Sequence, residues 1–436
     1  MHISRLALDR FRSWHQCVLD LDPGVNVLQG RNGLGKTNIV EAVEVLSTGG
    51  SHRASSSLPL IERGQTSAVV RANVEDGART TTYEITIASR GANRGRVNGG
   101  ASVYMRDIVG RVPCVTFTPE DQRMVAGDPA TRRGFLDQAG VLLSPGYAAL
   151  TQTFSKIGRQ RATLLKQLGD RNASGPDGVG ATMRDAALSG LEIWTGQFIE
   201  AGVELTKRRQ SVVERLAGPF ARIYAELAGD TEQAALRYDP SFDEVLAFDE
   251  PGPHISQHFQ RIYPGEVARG VNLIGPQRDD LALELNGMAA REYASNGEMW
   301  TMALALKMAL FETVAQDTDV TPIVILDDVF AQLDEYRRNQ IMEFAAGQPQ
   351  VLITVAAAGD MPELPGANVI DVASLVGGDA DETAVAEDSG RVADDADARA
   401  REVRSAGAGV ERSDERSAGA EVERSVIERS GEGRAA

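Results

Sequence analysis

Apolar and polar positions divide the chain into a strand-rich front, a helical middle, a mixed segment and a polar tail. Near the start, LALDRFRSW and CVLDLDPGVNVLQG predict two strands joined by short turns. From Lys36 to about Ser47, Ile39, Val40, Val43 and Leu46 fall on one helical face. Strands are expected around residues 68–74 and 80–88, and GANRGRVNGG, from Gly91, is expected as a turn. Residues 148–168 and 183 to about 227 carry long helical periodicity with almost no proline. GDRNASGPDGVG, from Gly169, separates them, which predicts an antiparallel hairpin arm around a glycine-rich tip. From about Glu266 to Val372 strand, helix and strand alternate again.

The expected fold is therefore α/β: a nucleotide-binding head of two lobes, residues 1–130 and 266–375, split by a helical arm at 131–265. Residues 376–436 are mostly Ala, Gly, Ser, Asp, Glu and Arg, with a twelve-residue repeat, RSAGAGVERSDE from Arg404 and RSAGAEVERSVI from Arg416. Such a segment cannot bury enough apolar surface to offset its ordering entropy, so a disordered tail is expected.

Three stretches carry chemistry. GRNGLGKT, Gly30 to Thr37, matches the P-loop pattern, with an apolar strand before it and a helix after. Its glycines let the backbone of Gly30, Arg31, Asn32, Gly33, Leu34 and Gly35 wrap phosphates with inward N–H groups, at a helix N-terminus. Lys36 is expected to reach the β/γ phosphates and Thr37 to ligate Mg²⁺. In IVILDDVFAQLD, Ile323 to Asp334, an apolar strand ends in two acids. Asp327 is expected to hold Mg²⁺ through water and Asp328 to orient or deprotonate the attacking water. A helix N-cap with paired acids is the plainer alternative for that stretch taken alone. The third, YASNGEMWTMALALKMAL from Tyr293, places a Ser-Asn-Gly turn before an apolar helix. Either its helix N-terminus meets an anion, or Ser295 or Asn296 simply caps a core helix with Glu298 in the first turn.

Several separated stretches resemble the RecF family of bacterial recombination-repair ATPases, related to SMC and Rad50 heads. They are FRSW, GRNGLGKTNIVEAVEVLSTGGSHR, FTPEDQRMVAGDPATRRGFLD, LIGPQRDDLALELNG, SNGE and ILDDVFAQLD, within roughly residues 1–372. The resemblance implies an ABC-type ATPase head with a short helical arm, ATP and Mg²⁺ as cofactors, and a homodimer formed with ATP. In it each P-loop faces Ser295 and Gly297 of the other subunit, with Asp334 in the D-loop position. DNA, single-stranded or gapped duplex, is the implied partner, with RecR and RecO mediators assisting recombinase loading. FTPED lies in the Q-loop region, with Glu120 and Gln122 as candidates. This sequence departs from the family at Gln277 for histidine, Trp300 for an arginine, and Ala331 for a serine; Asn296 and Glu298 replace glutamines. Asp328 is shorter than the glutamate common in transporter ATPases, so slow, DNA-stimulated turnover is expected.

Charge refines this picture. The net charge is −17, of which the segment from Val376 onward contributes −7, so DNA binding requires a local basic groove. Candidates are Arg94, Arg96, Arg132, Arg133, Arg159, Arg161, Lys207, Arg208 and Arg209. Two cysteines, Cys17 and Cys114, make neither a disulfide framework nor a CxxC zinc site, which fits a cytoplasmic protein. No signal peptide or membrane span is expected. The alternatives are a non-catalytic RecF-like scaffold and an ABC transporter ATPase subunit; the helical insertion, FTPED and GPQRDD argue against the transporter.

Overall fold

A parallel sheet organises the fold, and three of its strands, Cys114–Phe117, Ile323–Asp327 and Gln350–Val355, are buried throughout, as burial on both faces requires. The computed structural model describes residues 1–54, 56–169, 179–229, 232–331, 333–357, 359, 364 and 366–376. The strand order across this sheet is Asn368–Asp371, Gly24–Gln29, Gln350–Val355, Ile323–Asp327 and Cys114–Phe117, all parallel. Alternation sends successive residues to opposite faces. Leu28, Ile323, Ile325 and Leu352 enter one core; Val27, Val324, Leu326, Val351 and Ile353 enter the other.

The first core lies beneath a six-stranded antiparallel sheet and includes helix Lys36–Thr48. Gln350, fully buried, ties this sheet to the parallel one: Ile3 N–H donates to its Oε1 at 2.8 Å, and its Nε2 donates to Ile3 O at 2.8 Å. The second core gathers helix Asn296–Thr318, helix Pro129–Leu143, the C-terminal part of helix Val179–Ala228 and a three-stranded sheet.

Most expected elements form, with two differences. CVLDLDPGVNVLQG is two strands, not one: Trp14–Asp20 completes a hairpin in the antiparallel sheet, and Gly24–Gln29 belongs to the parallel sheet. Pro23 and Gly24, with Gly24 at φ 80°, make the change of direction. GANRGRVNGG is not wholly a turn, because Arg94–Val97 pairs with Arg79–Ala88.

Helices Tyr147–Gly169 and Val179–Ala228 pack together where the arm was expected. The stretch between them, 170–178, and the expected tail, 377–436, lie outside the described residues. Residues Met1–Val376 form one compact unit. The base of the long helix is embedded in the second core through Val212, Leu216, Phe220 and Tyr224. Ion pairs strengthen that junction. Arg209, 3% exposed, donates to Asp137 at 2.9 Å, Asp279 at 2.9 Å and Pro276 O at 2.6 Å. Arg132 grips Asp280 through two hydrogen bonds at 2.6 and 2.8 Å. The GPQRDD stretch thus ties helices Pro129–Leu143 and Val179–Ala228 to the three-stranded sheet.

Candidate nucleotide site

The carboxyl ends of three neighbouring parallel strands bring the chemistry together. In register, Leu28 faces Thr354, and Thr354 faces Asp327. The P-loop leaves the first strand, and the acids end the third. Within the loop Gly33 and Gly35 have φ of 87° and 92°, a region costly for any side chain. Gly35 is also enclosed: a Cβ there would lie 2.7 Å from Trp14 Nε1 and 2.9 Å from Ser13 Oγ. Trp14 Nε1 donates to Gly35 O at 3.1 Å, and Asn38 Nδ2 donates to Ser13 Oγ at 2.8 Å. The FRSW stretch is therefore a strut under the P-loop.

Lys36 is 3% exposed, and its ammonium donates to Gly30 O at 2.7 Å, Arg31 O at 3.3 Å and Asn32 Oδ1 at 3.4 Å. It is folded along the inside of a loop whose tip, Arg31 to Gly33, is exposed. The first N–H groups of the following helix have no intrahelical acceptors, and with the neighbouring cation they favour an anion.

Thr37 Oγ1 donates to Asp327 Oδ1 at 3.0 Å, joining residues 290 apart in sequence. Thr354 Oγ1 donates to the same oxygen at 2.7 Å and accepts from the Asp328 N–H at 2.9 Å. Burial pushes the Asp327 carboxyl above the usual range; Asp328 adds to the rise, and the threonine hydrogen bonds oppose it. A buried hydroxyl–carboxylate pair beside a second acid is a donor set that fits Mg²⁺, an oxygen-seeking cation. Asp328 adopts φ 51°, a left-handed conformation uncommon outside glycine, and is only half-buried. Its Oδ1 lies 3.4 Å from Thr354 Oγ1.

Ser295 caps helix Asn296–Thr318: Glu298 N–H donates to its Oγ at 3.3 Å, and Ser295 N–H donates to Glu298 Oε2 at 2.5 Å. This capping box is the plainer of the two sequence alternatives, and it leaves Ser295 and Asn296 on the surface. Gly297 sits against Arg337, whose Nη2 would lie 2.8 Å from a Cβ at 297. Asp334 caps helix Glu335–Ala346, accepting from Arg337 N–H at 2.9 Å, and the Arg337 guanidinium also pairs with it. The backbone hydrogen bond from Arg337 holds the Asp334 carboxyl below its ordinary value. Trp300 packs against the second core and lines a small cavity with Arg337. Gln122 Nε2 donates to Asn296 O at 3.1 Å, whereas Glu120 pairs with its neighbour Arg123. Among the described residues, no hydrogen bond joins the Ser295 turn to the Gly30–Thr37 loop.

Sequence reasoning missed Thr354, although a polar residue ending an apolar strand was the signal that found Asp327. It also missed a buried polar cluster behind the site. Glu44 accepts from Gln138 Nε2 at 3.0 Å and lies 2.7 Å from His52 Nδ1, while Lys307 pairs with Asp121 at 3.5 Å. Burial is the largest single influence and lowers the His52 pKa, but the hydrogen bond and charge of Glu44 together outweigh it and raise the pKa above its ordinary value. Of the candidate DNA-contacting groups, Arg132, Arg161 and Arg209 are buried in ion pairs and face no solvent. Arg159 and Lys207 are exposed; Arg94 and Arg96 are half-buried, and Arg94 lies over the Tyr104 ring at 4.6 Å.

Fold and site together define an ABC-type P-loop ATPase head. The family profile described as RecF/RecN/SMC N terminal domain matches residues 2–372. A relative from Bifidobacterium adolescentis, named DNA replication and repair protein RecF, is 70% identical, covering 86% of this chain and 92% of its own. A protein of the same name from Frankia alni is 40% identical, covering 86% and 99%. A solved structure described as the recombination mediator protein RecF-ATPrS in the RecFOR pathway superposes with TM-score 0.72 at 25% identity, covering 85% and 97%. The chain belongs to the RecF family. Among the described residues, no helix is long and apolar enough to cross a membrane.

Proposed function

We propose that this protein is an ATP-dependent DNA clamp of replication and repair, working in the cytoplasm. The observation that carries this reading is the meeting of Thr37 and Asp327 at 3.0 Å, next in sequence to Lys36, whose ammonium donates to Gly30 O inside the P-loop. Lys36 and the loop from Gly30 to Gly35 hold the β- and γ-phosphates of ATP. Thr37 directly, and Asp327 through water, hold Mg²⁺, which when bound neutralises charge on the phosphates. Asp328, half-buried at the strand end, orients the attacking water. Two copies join head to head. Ser295 and Gly297 of each present a helix N-terminus to the γ-phosphate held by the other, with Asp334 at the seam. Hydrolysis is slow and is raised by DNA. Single-stranded and gapped duplex DNA bind the closed dimer through backbone charge, and RecR- and RecO-type mediators cooperate in recombinase loading.

The related proteins named for DNA replication and repair, and the solved relative described with an ATP analogue, support this reading. The test is the mass of the protein in solution without nucleotide, with ADP and with ATP, each with and without gapped DNA. The expected result is a monomer that becomes a dimer with ATP alone, strengthened by DNA. Lys36→Met is expected to lower ATP affinity at least about a hundredfold, or ~3 kcal/mol, and to abolish the shift. Normal dimerisation of that variant would remove the P-loop from the mechanism. A second reading, a scaffold that binds ATP without closing, is favoured by the inward packing of Trp300. ATP binding with no dimer would select it.

A further inference from the structure

Away from the nucleotide site, a short helix, Glu244–Ala247, and a longer one, Pro251–Arg269, enclose a cleft of about 540 Å³. Three groups at its edge are arranged for a cation. One ligand atom each from Asp243, Glu244 and His258 lies within 4.8 Å of the others. Glu244 is 9% exposed; its Oε1 lies 2.7 Å from His258 Nδ1, while its Oε2 is buried with no partner. Asp243 stands at the N-cap position of the short helix, yet its side chain makes no capping hydrogen bond. His254 lines the same cleft, one helical turn before His258, and is held flat against Phe248 with ring centroids 3.7 Å apart.

A buried carboxylate oxygen without a donor is costly, and two adjacent carboxylates repel anions, so the missing partner is positive. Arg261, which also lines the cleft, makes no ion pair with Glu244 among the described residues. An imidazole nitrogen beside two carboxylates selects a borderline transition cation over the oxygen-seeking Mg²⁺ and Ca²⁺. We infer that Asp243, Glu244 and His258 form a Zn²⁺ site that clasps the short helix to the long one. Tetrahedral binding at about 2.0–2.1 Å requires donors about 3.3 Å apart, so small side-chain rotations close the set. The cysteines offer no competing site: both are buried, and burial pushes each thiol up to about 12.

The experiment uses the full chain, stripped with EDTA, desalted, and titrated with ZnCl₂ by calorimetry; Co²⁺ absorption reads the coordination independently. One equivalent of Zn²⁺ is expected, with Co²⁺ bands of nitrogen–oxygen coordination, undisturbed by millimolar Mg²⁺. Glu244 is buried and its substitution risks the local fold, so the deciding variants are His258→Ala, half-buried, and Asp243→Ala, exposed. Each is expected to weaken Zn²⁺ at least tenfold with an unchanged circular dichroism spectrum. Absence of stoichiometric binding, or unchanged affinity in either correctly folded variant, overturns the site.

Discussion

The two turns proposed to share one phosphate chain, Gly30–Thr37 and Ser295–Gly297, are built on opposite terms. The first is held by other parts of the chain. Trp14 and Ser13 press on Gly35, Asp327 accepts from Thr37, and a lysine ammonium rests on loop carbonyls. The second is held mainly by itself: the serine and glutamate of its own first turn satisfy one another, and from outside Gln122 donates to Asn296 O. A loop braced from outside, by Trp14, Ser13 and Asp327, takes its shape from its surroundings even though Lys36 also bonds to the loop's own carbonyls. A self-capped turn is a finished helix end, able to meet an anion only by offering amides already at the surface. Substitutions in the first should therefore damage fold and binding together; those in the second should separate them.

The largest expected effect is at Gly35. Gly35→Ala forces a side chain into φ 92° and against the Trp14 ring, and is expected to destabilise the protein by about 2–3 kcal/mol, read by urea unfolding. A loss below half of that would mean the strut is slack. Asp327→Asn tests the buried acid. A carboxyl with a raised folded pKa contributes stability below its unfolded pKa and loses it as pH rises through the folded value. In Mg²⁺-free buffer the variant is therefore expected to be more stable than the parent at pH 8, with the gap closing towards about pH 4. A less stable variant at pH 8 would show that Asp327 is comfortable as an anion without a cation. The smallest effect on stability is at Gly297. A methyl there meets the flexible tip of Arg337, with Ser295 Oγ at an ordinary contact distance of 3.9 Å, so Gly297→Ala should change stability by less than about 0.5 kcal/mol. ATP-dependent association should nevertheless weaken about tenfold, ~1.4 kcal/mol, in sedimentation. Equal damage to both would erase the contrast between the turns.

What the sequence revealed follows the same division. Gly30–Thr37 and Ile323–Asp334 were legible because each motif carries its context within a dozen residues: strand, turn, helix. Thr354 was not, because its role exists only through strand order, which inserts Gln350–Val355 between the P-loop strand and the acids. The arginines were misleading for a related reason. Arg132, Arg161 and Arg209 have the charge of DNA contacts, but their partners Asp280, Glu266 and Asp279 lie more than 60 residues away. The break of CVLDLDPGVNVLQG between two sheets was foreshadowed by Pro23–Gly24, yet nothing local says that the second half joins a parallel sheet.

The Trp14 strut also makes the protein its own optical instrument. The chain has three tryptophans. One donates its indole N–H to Gly35 O, at the root of the P-loop, and another, Trp300, lies in the first turns of the helix capped by Ser295. Indole emission responds to hydrogen bonding and local polarity, so the two rings view opposite halves of the proposed composite site. Replacing Trp300 and Trp194 by phenylalanine would leave Trp14 as a single native fluorophore reporting on the loop, with no dye attached to the surface through which two copies would meet.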